Sequence, residues 1–443
     1  MGKTIRENWN KDSSEIFERF AAGIDEAIGN GEELKCADRD LQYGIRLQNR
    51  RIGKLGLNFY YELTPRGYFT DGLNLGNHWS DGHYVNRLEV RGCERVQSIY
   101  QGDRKLFKKK EKVKLYQTVT DVRSGQDVSE DEYICPDCGA ATKIGLLTQG
   151  CPYCGNRFRM DELYPKISNY YFYPDVGGTR TELAKLAIPS ILIAIVLIYL
   201  PFCAFGLLGI AFNSIGFAIG SNSYQTMQSM GNFIGILIWG IFVALFFGVI
   251  GGWVFTSFVY LFRLGSFAAQ RIPMAKYLGC QKQFEEFIKK SSPEFSYEFF
   301  AGKTVNMIKM LIFSENPEEL PFYNGRALNP AFRNIVDVTS MGAVGITKME
   351  FQNGYAVIYA DVYLEDTYYR DGKVKRVNEV MTVIMRKNIE RPVDMRFKIT
   401  SIHCPTCAGS FDATKNKFCP YCGNPYRMED LDWSVEYLDY LQK

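Results

Sequence analysis

Eight cysteines carry the clearest chemistry in this chain. Cys135-Pro-Asp-Cys138 and Cys151-Pro-Tyr-Cys154 are separated by twelve residues, and Cys404-Pro-Thr-Cys407 and Cys419-Pro-Tyr-Cys422 by eleven. Each pair places two thiolates at the tip of a tight turn. Two such knuckles complete a tetrahedral four-sulfur site with no open position, the pattern of a structural zinc ribbon. A glycine or alanine follows the second cysteine of every pair, which fits the crowded backbone at a knuckle. The competing reading is two pairs of disulfides, but the spacing is that of a zinc signature. Two zinc ions per chain are expected, with rubredoxin-like iron as the chemical competitor. Each site closes within its own cassette, so loss of Cys419 is expected to unfold only the C-terminal ribbon. The likeness of the cassettes continues past the ligands, with Arg159-Met160-Asp161-Glu162-Leu163 matching Arg427-Met428-Glu429-Asp430-Leu431 as an internal repeat.

Other chemistry is sparse. Arg104, Lys105, Lys108, Lys109, Lys110, Lys112 and Lys114 form a basic run. It reads either as a surface for anionic lipid or a partner, or as a strand edge kept from aggregating by lysines. The net charge of +3 argues against a dedicated nucleic-acid binder. His78 and His83 flank Asp81 in a stretch that reads as a base or metal pair, or as a polar turn anchored by Trp79. His403 abuts a zinc knuckle. No phosphate-binding loop, nucleophile elbow or metalloprotease signature occurs, and no catalytic residue is assigned. Cys36, Cys93, Cys203 and Cys280 are scattered and read as small apolar residues of cores or lipid.

These groups need elements to hold them. A chain of 443 residues with 46% hydrophobic content has room for two or three domains. Met1–Arg6 lacks the apolar run of a signal peptide, and Arg6 stands where an N-myristoylation motif wants Ser or Thr. No Lys, Arg, Asp or Glu occurs from Leu186 to Phe262. The polar stretch Asn213–Gly231 divides that run into two spans, each long enough to cross a bilayer. Arg180 and Lys185 precede the spans, Arg263, Arg271 and Lys276 follow them, and the connection carries no charge. Both termini are therefore expected in the cytoplasm of a cell-membrane protein, where thiols stay reduced. Gly231 and Gly235, and Gly248 and Gly252, are spaced for close helix approach, within the hairpin or in a homo-oligomer.

The N-terminal part opens with a helix capped by Ser13. Ile16, Phe17, Phe20, Ile24 and Ile28 form its apolar face, and Gly29 or Gly31 ends it. Strand-rich structure follows, including a hairpin of Lys112–Val122 and Val128–Ile134 around Ser124-Gly125. After the membrane spans, Gln281–Lys290 forms a helix and Ser292 caps a second one with Pro293 at its first position. Phe299, Phe300, Ile308, Leu311 and Ile312 form the buried stripe of that second helix. A meander of Ile346–Phe351, Tyr355–Asp366 and Lys373–Arg386 turns at Asn353-Gly354 and Asp371-Gly372. A last strand, Met395–Ile402, leads into Cys404.

Two helices with Phe-rich faces and a long-stranded meander, just after a membrane anchor, resemble a known domain. It is the membrane-binding domain of the 44-kilodalton subunit of the mitochondrial inner-membrane translocase, together with its bacterial relatives, some of which carry zinc ribbons. The resemblance covers about Gly279–Ile402 and rests on element order. It implies a nuclear-transport-factor-like cone that binds protein or lipid at a membrane.

The expected fold is an α+β multidomain membrane protein with two four-cysteine zinc ribbons, a two-helix transmembrane hairpin and a C-terminal cone-like domain with an antiparallel sheet. An N-terminal domain spans 1–133, a ribbon 134–164, a linker 165–183 and the hairpin 184–262, with spans near 186–212 and 232–262. A juxtamembrane segment (263–279), the translocase-subunit-like domain (280–400), a second ribbon (401–433) and a tail (434–443) follow. Three functions compete. One is a membrane-anchored scaffold that recruits a protein or contacts lipid, in protein transport or envelope assembly. Another is a metal- or redox-responsive regulator. The third is an enzyme using the cone cavity. The enzyme requires groups such as Asp361, Glu379 and a histidine to converge; the scaffold expects side chains such as Tyr359 or Val380 on the inward sheet face.

Overall fold

The structure is a computed structural model. It describes residues 2–66, 73–80, 84–122, 129–130, 132–135, 138–156, 165–174, 180–219, 223–268, 274–291, 293, 295–391, 402–404, 406–407, 409–414, 416 and 418–441. The chain forms two compact units. Met1–Pro174 and Ile272–Lys443 together make one, and Asp175–Arg271 makes the other.

The first half of the larger unit opens with helices α1 (Gly2–Asn30) and α2 (Arg39–Lys54). Ser13 lies inside α1 rather than capping it. Phe17, Phe20, Ile24 and Ile28 are buried along one face, and Gly31 leaves the helix in the left-handed region. Asp38 caps α2 by accepting from the Leu41 amide at 2.8 Å. The strands β1 (Asn58–Pro65), β2 (Leu73–Ser80), β3 (Tyr84–Gln101) and β4 (Arg104–Val122) follow. The stretch containing His78 is strand rather than turn, because β2 pairs with β3 through an irregular register; Asp81 and His83 lie outside the described residues. Among the described residues, Lys112–Val122 does not pair with Val128–Ile134 as expected. Instead β4 pairs along its whole length with β3, and β5 (Glu132–Ile134) pairs with β6 (Ala141–Lys143) inside the first cassette. The expected linker over 165–183 contributes strand β7 (Lys166–Pro174), antiparallel to β4. The sheet order is β1-β3-β4-β7, with β2 also on β3.

The smaller unit holds two long helices, α3 (Arg180–Ala218) and α4 (Ser223–Ala268). Both continue through much of the polar stretch that the sequence assigns to a connection. Ala187–Phe212 and Met230–Val259 are long and apolar enough to cross a membrane. The helices pack together, and the glycines explain how. A Cβ on Gly248 or Gly252 would strike the backbone of Ile195 or Ile191, whereas Gly231 and Gly235 face open space. One glycine pair thus serves the contact within the hairpin, and the other does not.

The second half of the larger unit repeats the order of the first. Helices α5 (Met274–Ser291) and α6 (Tyr297–Phe313) precede β8 (Ile335–Gln352), β9 (Tyr355–Arg370) and β10 (Lys373–Asn388). The second cassette contributes β11 (Ile402–His403), β12 (Ser410–Phe411) and the short helix α7 (Met428–Leu431), and the chain closes with β13 (Ser434–Tyr440). The sheet order is β8-β9-β10-β13. Each half is therefore a helix pair, a run of antiparallel strands, a four-cysteine cassette and a last strand, the fifth in the first half and the fourth in the second, that returns to pair with the strand before the cassette. The segment expected as a tail is that fourth strand, β13 on β10. The turns fall where expected: Asn353 and Gly354 have φ of 50° and 82°, and Asp371 and Gly372 have 52° and 71°, as a type I′ hairpin requires. The cap of α6 is Ser296, four residues later than expected, accepting from the Phe299 amide at 3.3 Å. Residues 392–401, most of the expected last strand, lie outside the described residues apart from Ile402.

The inward face of the second sheet carries Ile358, Ala360, Val362, Leu364, Met381, Val383 and Met385, all fully buried. Tyr359 and Val380 point the other way, so the expected parity is reversed. The alternation is hard to read because the opposite face is also partly covered. There, Tyr277 of α5 packs on Gly345 and donates to Asp361 at 2.9 Å.

The two halves meet through α2 against α6, β7 against β8, and a buried ionic cluster. Arg95 pairs with Glu111 and, at 3.0 Å, with Glu365. Arg376 pairs with Glu111 at 2.6 Å and Glu365 at 3.3 Å. Asp337 accepts from Gln48 and Gln97 at 2.8 Å each. Each arginine and glutamate of this cluster has an opposite charge beside it, and Asp337 is held by two amides, as such burial demands.

Candidate metal centres

The eight cysteines of the two cassettes come together as two clusters of four. In the first, Cys135 to Cys154 and Cys138 to Cys151 are 3.7 Å between sulfurs; in the second, Cys404 to Cys422 and Cys407 to Cys419 are 3.6 Å. A disulfide would bring sulfurs to about 2.05 Å, so the cysteines are free thiols. A tetrahedron with metal–sulfur bonds of about 2.3 Å has edges of roughly 3.8 Å. The donor set therefore fits a tetrahedral metal ion without rearrangement.

Local backbone chemistry builds each knuckle. The amides of Gly139, Gly155 and Gly423 donate to the carbonyls of Cys135, Cys151 and Cys419 at 2.8–2.9 Å, closing the turns. These glycines have φ of 73°, 74° and 72°, a region closed to most side chains. Asn156 and Asn424 occupy equivalent places, each accepting from the cysteine amide that opens its knuckle, at 2.9 and 3.0 Å. The amides also favour thiolate. Donation from Cys154 and Tyr153 lowers Cys151 to about 7. At Cys404, burial opposes ionisation but the amides of Cys407 and Thr406 outweigh it and hold the thiol down to about 6. Against the Ala140 amide, burial and the neighbouring sulfurs push Cys138 up to about 12. Four sulfurs this close ionise together only beside a cation.

The cassettes differ in what supports them. The first has its own small core of Tyr133, Cys135, Ile144, Leu147 and Cys151. The second has none: Ile402, Cys404, Phe411, Ala413, Cys419 and Met428 belong to the same core as α5, α6 and the second sheet. Trp433 follows directly and packs at a steep angle against Phe284 and Phe300, with ring centroids 5.8 and 5.4 Å away. The expectation that loss of Cys419 stays within its ribbon is therefore corrected, since its neighbours are domain core. The two cassettes also touch, with the Tyr421 hydroxyl donating to the Cys138 carbonyl at 3.3 Å.

Of the other residues singled out by sequence, the seven cations from Arg104 to Lys114 lie on β4. Lys108, Lys110 and Lys112 share its outer face, while Lys109 turns toward Glu111 at 2.8 Å. Cys36 and Cys93 are buried in the first core, and burial pushes Cys36 up to about 11. Cys203 and Cys280 are half-buried.

Asp361 and Glu379 do not converge, because they point to opposite faces of the sheet. Asp366 takes that place instead. It is fully buried, neither carboxylate oxygen meets a hydrogen-bond donor among the described residues, and Glu379 lies beside it. Tyr368 donates to Glu379 and shares a 2.5 Å hydrogen bond with Tyr440. Burial first, then the Glu379 charge, hold the Asp366 carboxyl well above the usual range. Lys309 is the matching anomaly among bases. It lies over the Tyr170 ring at 4.7 Å, and burial lowers it to about 8. No pattern in the sequence marks either residue. Cavities of about 20 and 10 Å³ beside α6, both lined by Asp40 and Asn306, are far smaller than the several hundred Å³ of a usual ligand site.

No protein-family model, curated protein or solved structure matches this chain.

Proposed function

We propose that the chain is a membrane-anchored scaffold stabilised by two zinc ions. In this reading it recruits a protein partner at the cytoplasmic face of a cell membrane, in protein transport or envelope assembly. The observation that carries the reading is the closed geometry of both clusters. Four sulfurs at tetrahedral separation hold an ion without leaving a position for substrate, which is structural rather than catalytic coordination. Zinc is the ion proposed, and elemental analysis separates it from iron, which the same four-sulfur set also takes.

Two further observations support the anchor. The helices α3 and α4 are apolar enough to span, and they are inserted between two halves that pack together. Halves in mutual contact must lie on one side of a bilayer, so an even number of crossings is required. The order of α5, α6 and the antiparallel strands supports the likeness to the translocase-subunit domain. Proteins co-purifying with the intact chain in mild detergent, compared with a Trp433→Ala chain, test the scaffold. A specific partner lost with the variant is expected, and turnover of a small molecule with no partner would sink the reading. A tag near Ser221 should be accessible from outside intact cells, with both termini protected.

A second reading, a redox-responsive regulator, is favoured by one feature: Cys154, Cys407 and Cys422 are exposed. Stoichiometric metal release by mild oxidant, with a change in partner binding, distinguishes it from the scaffold.

A further inference from the structure

The turn from β3 to β4 and the turn from β9 to β10 lie at one end of the larger unit, although they are far apart in sequence. A Cβ on Gly372 would sit 4.0 Å from the Arg104 guanidinium. Just behind the tips, Arg376 stacks over Phe107 at 5.3 Å and bonds Glu111, so their spacing is fixed from inside. The second tip adds cations that the basic run of β4 does not contain.

The faces on which these cations lie follow from strand parity. On β4, Phe107 and Glu111 turn inward and Lys108 turns outward. On β10, Val374 and Arg376 turn toward the first sheet and Lys373 and Lys375 turn away. Positive charge therefore surrounds the end, with Arg104 and Arg370 at the tips and lysines on both outer faces. Acids nearby are Glu62, Glu94, Asp103 and Asp371. Lys110 pairs with Glu94 at 2.7 Å and Arg370 with Asp371 at 3.5 Å. Arg104, Lys105, Lys108, Lys373 and Lys375 are exposed and have no acidic partner among the described residues.

We infer that this end of the larger unit docks onto the anionic headgroups of phospholipid. The inference rests on the membrane-anchored reading and names one surface that acts there. A strand edge protected from aggregation needs isolated lysines, not two tips from different sheets braced against each other by buried ion pairs. Tyr60 is exposed on the same face, edge-on to Tyr100, but it stands beside the cations on β1 rather than interleaved with them as a stacking platform for single-stranded nucleic acid. A planar array of phosphates needs only cations presented together at one end, and attracts each of them within a Debye length.

The test uses the full chain in nanodiscs of phosphatidylcholine alone or with about 30% phosphatidylserine, which supplies the anionic headgroups. A second arm keeps neutral nanodiscs and adds vesicles of either composition, which separates the chain's own bilayer from an apposed one. The readout is the rate at which an amine reagent labels Lys108, Lys373 and Lys375, with exposed Lys54 and Lys282 as references. Labelling at the three sites should slow about three-fold or more in an anionic arm, with the references unchanged. The slowing should vanish at 0.5 M salt and be halved or less in an Arg104→Gln, Arg370→Gln variant. Equal rates with neutral and anionic lipid in both arms would overturn the inference, as would protection by a single-stranded oligonucleotide but not by lipid. Failure to enter nanodiscs at all would instead overturn the anchor.

Discussion

Matched substitutions in the two cassettes should have unequal effects. Cys151 and Cys419 are the first cysteines of their second knuckles, and both are nearly fully buried. Changing either to Ser removes one of four thiolates and should cost its cluster the ion. Each cassette is inserted between the last two strands of its sheet in chain order, so each becomes a comparable loop, whose closure cost changes little. The difference lies in what each carries into the core. Freeing the first cassette exposes a core that is its own. Freeing the second exposes Ile402, Phe411 and Met428, which pack in the core of α6 and the second sheet. Their burial is worth about 1.5–3 kcal/mol each, offset in part by the chain entropy regained. A net loss of about 3–5 kcal/mol follows for Cys419→Ser. At roughly 2–4 °C per kcal/mol the unfolding midpoint should fall by about 6–20 °C. Cys151→Ser should move it by less than about 2 °C on the same scale. Near-ultraviolet circular dichroism of the full chain in detergent reads the midpoint, and elemental analysis must find one ion per chain in each variant. Equal shifts, or a larger one for Cys151→Ser, would refute the claim that the second cassette is part of the domain core.

Three other outcomes are expected. Lys309 is depressed to about 8 by burial. The unfolded chain therefore binds more protons between about pH 8 and 10.5, and stability should rise with pH across that window. Lys309→Met should raise stability at pH 7 by about 2–3 kcal/mol and abolish the rise, measured by denaturant unfolding at several pH values. At Glu111, burial is outweighed by Arg95, Lys109 and Arg376, which lower the carboxyl to about 2. Its contribution is present above the unfolded value and lost as pH falls from about 4.5 to 2; in Glu111→Gln that part of the acid transition should disappear. Gly252→Leu should separate α3 from α4, because the added side chain meets the backbone of Ile191, whereas Gly235→Leu faces open space and should not. Cysteine cross-linking between the helices distinguishes the two.

What the sequence made legible was chemistry with a fixed local geometry. The cysteine pairs declare their turn by their spacing, Asn353-Gly354 and Asp371-Gly372 declare theirs by positive φ, and the two apolar spans declare themselves by length. What stayed hidden was pairing. Lys166–Pro174 reads as an aromatic linker and Ser434–Tyr440 as a charged tail, because each becomes a strand only beside a partner more than 40 residues away. With those two strands unread, the shared plan of the two halves was visible only as a pair of cassettes. Arg95, Glu111, Glu365 and Arg376 each stand beside another charged residue in sequence, Glu111 between two lysines, and so look solvent-facing; the second sheet that covers them cannot be seen from either strand. Asp366 is hidden for the same reason: parity in a sheet covered on both sides leaves little alternation to read, so the sequence offers Asp361 rather than Asp366 as the acid an enzyme would require.

The ion pair between Arg95 and Glu365 spans 270 residues of sequence. At about 5–20 residues per second of synthesis, Arg95 leaves the ribosome roughly 15–50 s before its partner does. During that interval the first sheet presents Arg95 and Glu111 without the Glu365 and Arg376 that pair with them, while the ribosome is delivering the most hydrophobic segment of the chain. A newborn chain of this design is most at risk of sticking to others between its first cassette and its second. Cells that slow elongation or lack holding chaperones should lose this protein to aggregates carrying the first half, even when every residue of the finished molecule is correct.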